Sequence, residues 1–291
     1  MIVLLIFIVI AAAMALTATV KKPGSIYRNQ PEEKNPMEGK QVRFVENPEE
    51  EVNADGVRGH LEATGKTNHT AGFYERIVKR ALDILLSFTG LVLLSPIFIF
   101  LSIWIYLDDP GPVLFTQKRT GKDKQYFKLH KFRSMKLSTP RNVPTHMLEH
   151  PEQYITRSGR FIRAHSLDEL PQVYDIFLGN MSVIGPRPGL WNQDLLTAER
   201  DRYGANDIKP GLSGYAQLHG RDELEIPEKA RMDGVYAVEL KKGGLKALKM
   251  DARCFLGSLG VFKGDDSVVE GGTGNMGKQK NEEAQTGDNR D

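Results

Sequence analysis

The sequence predicts an α+β protein. It consists of a mainly helical domain with a short β-hairpin, on a re-entrant helix-break-helix membrane segment, plus a separate N-terminal membrane helix. Three observations predict this. Residues 1–20 and 84–107 contain no charged side chain. Residues 113–133 alternate apolar and polar side chains and then, past a glycine-containing turn, become rich in β-formers, the signature of a hairpin. Residues 245–263 repeat apolar side chains at helical spacing.

Whole-chain figures conceal this layout. The 291 residues carry 39 Lys and Arg against 37 Asp and Glu, a net charge of +2, and 40% are hydrophobic. Such averages exclude a collagen, a multi-span transporter and a wholly disordered chain. Cys254 is the only cysteine, which excludes an intramolecular disulfide and a CxxC zinc site. By segment, 21–73 carries −1 and 264–291 carries −4, leaving +7 on 74–263. A basic core between acidic flanks suits an anionic partner: nucleic acid, anionic lipid or a phosphorylated substrate.

Residues 1–20 are long enough, at ~1.5 Å per residue, to cover a ~30 Å bilayer core. Lys21 and Lys22 follow directly and no basic residue precedes. The segment therefore reads as an anchor with Lys21 on the cytoplasmic side; a cleaved signal peptide is the alternative. Residues 21–73 hold four prolines and a Glu49–Glu51 run. They are expected to form a disordered polar linker, as is the tail 264–291.

The run 84–107 is interrupted by Pro96, which removes a backbone donor and crowds the carbonyl four residues back. Ser95 is placed to satisfy that carbonyl. Arg76, Lys79 and Arg80 precede the run, and Lys118, Arg119 and further basic residues follow it. Both ends thus belong on the cytoplasmic face, as a kinked re-entrant helix allows; a spanning helix with a tolerated proline is the alternative. Lys79 and Arg80 are expected at the lipid interface, by contact with lipid phosphates or as snorkelling anchors.

Val113, Phe115 and Gln117 begin the hairpin, Thr120–Lys124 turns it, and Tyr126–Phe132 returns. Lys131 and Arg133 flank Phe132 at its end. Ser166 followed by Glu169 is a capping-box spacing, predicting a helix from Leu167. Asp168 and Glu169 would then lie at a positive helix end near Arg163, which favours ionised carboxylates. An ionised carboxylate can attack phosphorus or ligate Mg²⁺. Arg187 has a proline on each side, and a braced guanidinium suits phosphate or carboxylate. The stretch Lys209–Arg221 is rich in glycine, fitting either turns or close backbone approach to a ligand. The helix over 245–263 packs on the core or lies on anionic lipid.

In their order, KRALD (79–83), LLSPIF (93–98), GPVLFTQKRTG (111–121), FKLHKFRSM (127–135), SGRFIRAHSLDELPQ (158–172), GNMSVIGPRP (179–188) and KPGLSGYAQLHGR (209–221) resemble the bacterial sugar transferase family, the monotopic phosphoglycosyl transferases. The resemblance covers 74–263. It implies transfer of a sugar-1-phosphate from a UDP-sugar to polyprenyl (undecaprenyl) phosphate, with release of UMP, at the cytoplasmic face of a bacterial membrane. The product begins a surface glycan. It also implies a covalent phosphosugar-aspartate on Asp168, with Glu169 as its partner and Mg²⁺ bridging the diphosphate and Asp168. By the same resemblance Lys131, Arg163 and Arg187 lie near phosphate, Arg221 faces the uridine, and Ser95 and Pro96 form the membrane break. Arg133, beside Lys131, is included as substrate-binding. Membrane lipid is a further partner; downstream glycosyltransferases and a homodimer stay open.

Four positions depart from the family pattern. Asp175 stands where Asn is usual, Asn180 where Asp is usual, Tyr215 for Trp, and His219 for Asn. The alternative function is a catalytically inactive, membrane-tethered binding protein of the same fold, which the presence of both Asp168 and Glu169 disfavours. A nucleic-acid partner is disfavoured by two apolar runs and no recognisable nucleic-acid motif.

Overall fold

The computed structural model describes residues 34–67, 69–139, 150–220 and 224–261. The expected N-terminal helix 1–20, residues 21–33 of the linker, Arg221 and the tail 264–291 lie outside the described residues.

Pro96 determines the shape of the central apolar run. One helix, α1 (Tyr74–Leu93), opens with a wide π-type turn over Tyr74–Lys79, and a second, α2 (Ser95–Asp108), leaves it at 58°. Pro96 lies in the first turn of α2, where its missing N–H costs no helical bond. The carbonyl it would have paired with is that of Val92, and Ser95 Oγ donates to that oxygen at 2.8 Å. No single described helix is long and apolar enough to cross a membrane; the bent pair passes that test only together. One face of α2 packs Phe98, Leu101 and Ile105 against Phe132 and Ile162. Leu85, Leu93, Phe100, Ile103 and Leu107 stand exposed on α1 and α2.

The alternating segment forms the hairpin β3 (Leu114–Thr120) and β4 (Tyr126–Phe132), antiparallel, with Phe115 opposite Lys131. Next come α3 (Arg157–Ala164), a 3₁₀ turn at Leu167–Glu169, α4 (Gln172–Leu178) and β5 (Ser182–Ile184). Then follow α5 (Asp194–Arg202), β6 (Gly211–Ser213), α6 (Ile226–Lys242) and α7 (Gly244–Val261). Strands β5 and β6 pair in parallel. A Cβ on Gly211 would lie 2.1 Å from the Gly185 backbone, and one on Gly214 2.2 Å from it. These glycines serve chain-on-chain packing. Among the described residues the fold is therefore mixed helix and strand, with three small two-stranded sheets where one hairpin is expected.

One of the two extra sheets corrects the linker reading. Residues 40–66, expected to be disordered, form a hairpin of β1 (Lys40–Glu46) and β2 (Gly59–Lys66). It is short of apolar residues and is tied to the rest of the domain by polar bonds. Val42 N–H donates to Asp201 Oδ2 at 2.7 Å, and Asn35 Nδ2 donates to the Lys124 carbonyl at 2.7 Å. Lys124, fully buried, pairs with Asp201 at 2.7 Å. At the other end, Asp55 Oδ2 accepts the Leu196 N–H at 3.1 Å in the first turn of α5, an N-cap supplied from a distant segment.

Lys79 and Arg80 are corrected as well. Lys79 is buried, and its Nζ lies 2.9 Å from Asp251 Oδ2 on α7. Arg80 donates to the Ile176 and Phe177 carbonyls, each at 2.8 Å, closing the C-terminal end of α4. Basic residues beside an apolar run suggest lipid, but here the domain folds back and supplies the acceptors.

Candidate active site

Two segments distant in sequence converge on the turn that carries the acidic pair. The turn Leu167–Glu169 begins after Ser166, whose φ of 51° is left-handed and costs a non-glycine residue about 1 kcal/mol. The capping-box expectation fails for this reason: an N-cap needs an extended backbone, and Ser166 caps nothing. The regular helix starts later, at Gln172, so Asp168 and Glu169 occupy a tight turn between α3 and α4.

Lys131, next to last in β4 and 5% exposed, reaches this turn. Its Nζ is 3.3 Å from Glu169 Oε1 and 3.8 Å from Asp168 Oδ2. Arg187, in the loop after β5, closes both guanidinium nitrogens on Glu169: Nη1 donates to Oε2 at 3.0 Å and Nη2 to Oε1. This bidentate fork fixes the carboxylate plane as well as its charge. The loop is itself anchored, since Arg119 Nη1 donates to the Pro188 carbonyl at 3.0 Å and Thr120 N–H to that of Gly189 at 3.0 Å. The β-hairpin thus supplies Lys131 on one strand and holds the Arg187 loop with the other.

Two expected residues are not in this cluster. Arg163, half-buried in the last turn of α3, makes no ion pair among the described residues. Arg133, 1% exposed, places Nη1 3.1 Å from Asp109 Oδ2 and donates from Nη2 to the Asp109 carbonyl. Strand β4 ends at Phe132, and the next side chain locks the α2–β3 connection. Its assignment to substrate is replaced by a structural one.

Sequence reasoning missed the supports behind the site. Asp175, wholly buried on α4, accepts the His130 backbone N–H at 2.9 Å, and His130 Nδ1 lies 2.7 Å from its other oxygen. Burial pushes the Asp175 carboxyl upward, while His130 and a hydrogen bond from the Asn180 side chain oppose the shift. This ties α4 to the free edge of β4 one residue from Lys131. The departures at 175 and 180 are the signal that could have found it. They are the two halves of one hydrogen-bonded pair.

Among the described residues no group of three or more His, Cys, Asp or Glu side chains could hold a metal ion. The acidic turn can offer one or two carboxylates, which suits Mg²⁺, an ion that takes its remaining ligands from water and substrate phosphates.

Residues 74–256 match the family model described as bacterial sugar transferase. The chain belongs to the bacterial sugar transferase family. It is 37% identical over 194 residues to the exopolysaccharide production protein PSS of Rhizobium leguminosarum bv. phaseoli, covering 63% of this chain and 94% of that protein. It is 38% identical over 157 residues to the UDP-glucose:undecaprenyl-phosphate glucose-1-phosphate transferase of Escherichia coli, covering 53% and 34%. It is 33% identical over 190 residues to the undecaprenyl-phosphate galactose phosphotransferase of Salmonella typhimurium, covering 58% and 38%. The sugar transferase thus spans most of the Rhizobium protein and little more than a third of the other two.

Proposed function

We propose that this sugar transferase moves a sugar-1-phosphate from a UDP-sugar to undecaprenyl phosphate, releasing UMP, in two displacements at Asp168. In the first, an Asp168 carboxylate oxygen attacks the phosphorus that bears the sugar. The bond to the UMP oxygen breaks, and UMP leaves with that electron pair. In the second, a phosphate oxygen of the lipid attacks the same phosphorus and the Asp168 carboxylate is released. The observation that carries the reading is the convergence of Lys131 and Arg187 on the Asp168–Glu169 turn. Glu169, held by two cations, orients both of them. Lys131, between the two carboxylates, offers positive charge where a phosphoryl oxygen gains negative charge. Mg²⁺ bound by Asp168 and the diphosphate would neutralise charge on the donor.

The membrane part of the proposal is that α1 and α2 enter and leave the bilayer by the cytoplasmic face. The 58° bend, the self-satisfied break at Ser95 and Pro96 and the exposed apolar side chains support it. The decisive assay incubates the membrane fraction with undecaprenyl phosphate, Mg²⁺ and a panel of UDP-sugars, with UMP release as the readout. Asp168→Asn is expected to abolish release for every sugar, and release that survived would overturn the nucleophile. Single cysteines at Gly72 and Lys118, in a chain whose own Cys254 is buried, are expected to be labelled from the same side. Labelling from opposite sides would establish a spanning helix.

A further inference from the structure

A row of aromatic rings runs from the apolar helix α2 to the end of α3, the helix that leads into the active-site turn. The Phe100 and Trp104 centroids are 5.9 Å apart, Trp104 and Phe161 5.3 Å, and Phe161 and His165 4.3 Å. Phe100 and Trp104 lie one turn apart on α2, and Phe161 and His165 one turn apart along α3 and its C-cap. The junction is pinned. Asp108 Oδ2 at the end of α2 accepts the Ser158 N–H at 2.7 Å and the Ser158 hydroxyl at 2.8 Å, which fixes where α3 starts relative to α2. His165, the last ring, is three residues before Asp168.

Trp104 is half-buried and packs against the core of Phe98, Phe132 and Ile162, but the rings on either side of it are open: Phe100 is 62% exposed, Phe161 44%, and His165 is also exposed. Such rings form an apolar surface that folding leaves partly uncovered. The charge around it is mainly basic: Arg157, Arg160 and Arg163 recur every third residue on α3, and Asp108, which interacts electrostatically with Arg157, is the acidic group at the junction. A ligand fitting both features has a long apolar body and an anionic end.

We propose that this row is the track on which the isoprenoid chain of the lipid acceptor lies, its phosphate end delivered to the Asp168 turn past the α3 arginines. The proposal rests on the reading above that the acceptor is a polyprenyl phosphate. Flat alkene units pack on ring faces, and rings lose little conformational freedom when covered. A belt for bulk lipid would need only Phe100 and Trp104; this row continues onto α3 as far as His165, three residues before the nucleophile in sequence.

The test compares acceptor length in nanodiscs. Phe161→Ala is expected to raise KM for undecaprenyl phosphate about tenfold, the equivalent of ~1.4 kcal/mol for a half-buried phenyl contact. KM for the UDP-sugar is expected to stay within about twofold. With geranyl phosphate, too short to reach Phe100 from the Asp168 turn, Phe100→Ala and the parent chain are expected to match, whereas with undecaprenyl phosphate Phe100→Ala is expected to raise KM. His165→Ala, at an exposed position past the helix end, is expected to show the Phe161→Ala pattern more weakly, and serves if Phe161→Ala does not fold. An unchanged undecaprenyl phosphate KM would overturn the proposal. So would a Phe100→Ala rise of equal size with both acceptors, which would mark the rings as a general membrane anchor. Failure of the underlying reading is separate: it would show as UMP release that persists in Asp168→Asn, whatever the ring variants do.

Discussion

Removing the Asp251 carboxylate provides the sharpest test of how the helices are held together. Asp251 on α7 is buried and has three partners: Tyr74 OH at 2.9 Å, Lys79 Nζ at 2.9 Å and Tyr236 OH at 2.6 Å. Asp251→Ala leaves an ammonium and two hydroxyls in a site with little solvent. Breaking a buried ion pair from one side costs about 3–5 kcal/mol, a large share of the ~5–15 kcal/mol that stabilises an ordinary domain. For a domain of this size the melting midpoint is expected to fall by ~10 °C. Asp251→Leu combined with Lys79→Met removes both charges and is expected to recover most of the loss, because two desolvation penalties vanish with the attraction. The assay is thermal and urea unfolding of the detergent-solubilised protein, followed by circular dichroism. A cost below about 1 kcal/mol for Asp251→Ala would refute the reasoning, since exposed pairs are worth no more than that. So would a Lys79→Met variant that kept full stability but lost membrane association, for then Lys79 would face lipid.

Three other outcomes are expected. Burial, helped by neighbouring Asp55, pushes the Asp194 carboxyl up to about 6; the folded state therefore holds that proton more tightly, and the associated stability is full below pH ~4 and lost as pH rises through about 6. Asp194→Asn should accordingly stabilise the protein at pH 7.5 by up to ~2 kcal/mol, after allowance for partial exposure, and hardly at pH 4; equal gains at both pH values would contradict the assignment. Asn180→Asp alone sets two carboxylates together beside a wholly buried position and is expected to cost several kcal/mol, whereas Asp175→Asn with Asn180→Asp restores an acid–amide pair, so unfolding midpoints should be strongly non-additive. Arg187→Lys keeps the charge but loses the fork on Glu169, and kcat/KM for UMP release is expected to fall about 10–100-fold, the equivalent of one charged hydrogen bond; an unchanged value would mean that the bidentate geometry is dispensable.

The parts of the molecule governed by local rules were legible in advance. Pro96 and Ser95 act within four residues of each other, and the break is where the proline put it. The hairpin around Gly121 and the C-terminal helix likewise follow from period and turn chemistry. What failed depended on partners far along the chain. Lys79 meets Asp251 across 172 residues and Arg133 meets Asp109 across 24, so the same basic residues that suggest lipid or phosphate were satisfied internally. The capping box had the right spacing, but Ser166 reverses the chain. The β1–β2 hairpin was missed because its composition is that of a linker and its stabilising contacts are on α5 and the β3–β4 turn. Lys131 and Arg187 were found as cations; their meeting on Glu169, from either side of the acid pair, has no counterpart in local pattern.

The N-terminal hairpin separates two kinds of boundary. The shared family region begins at Tyr74, yet the Lys124–Asp201 pair inside that region completes its hydrogen bonding with Val42 and Asn35 from outside it. The first helical turn of α5, just downstream of the loop that carries Arg187, takes its cap from Asp55 in the same outside segment. The inherited module and the cooperative folding unit therefore differ in extent. Asp55 and Asp201 each serve a backbone N–H more than a hundred positions away, so loss of either carboxylate is felt in both regions.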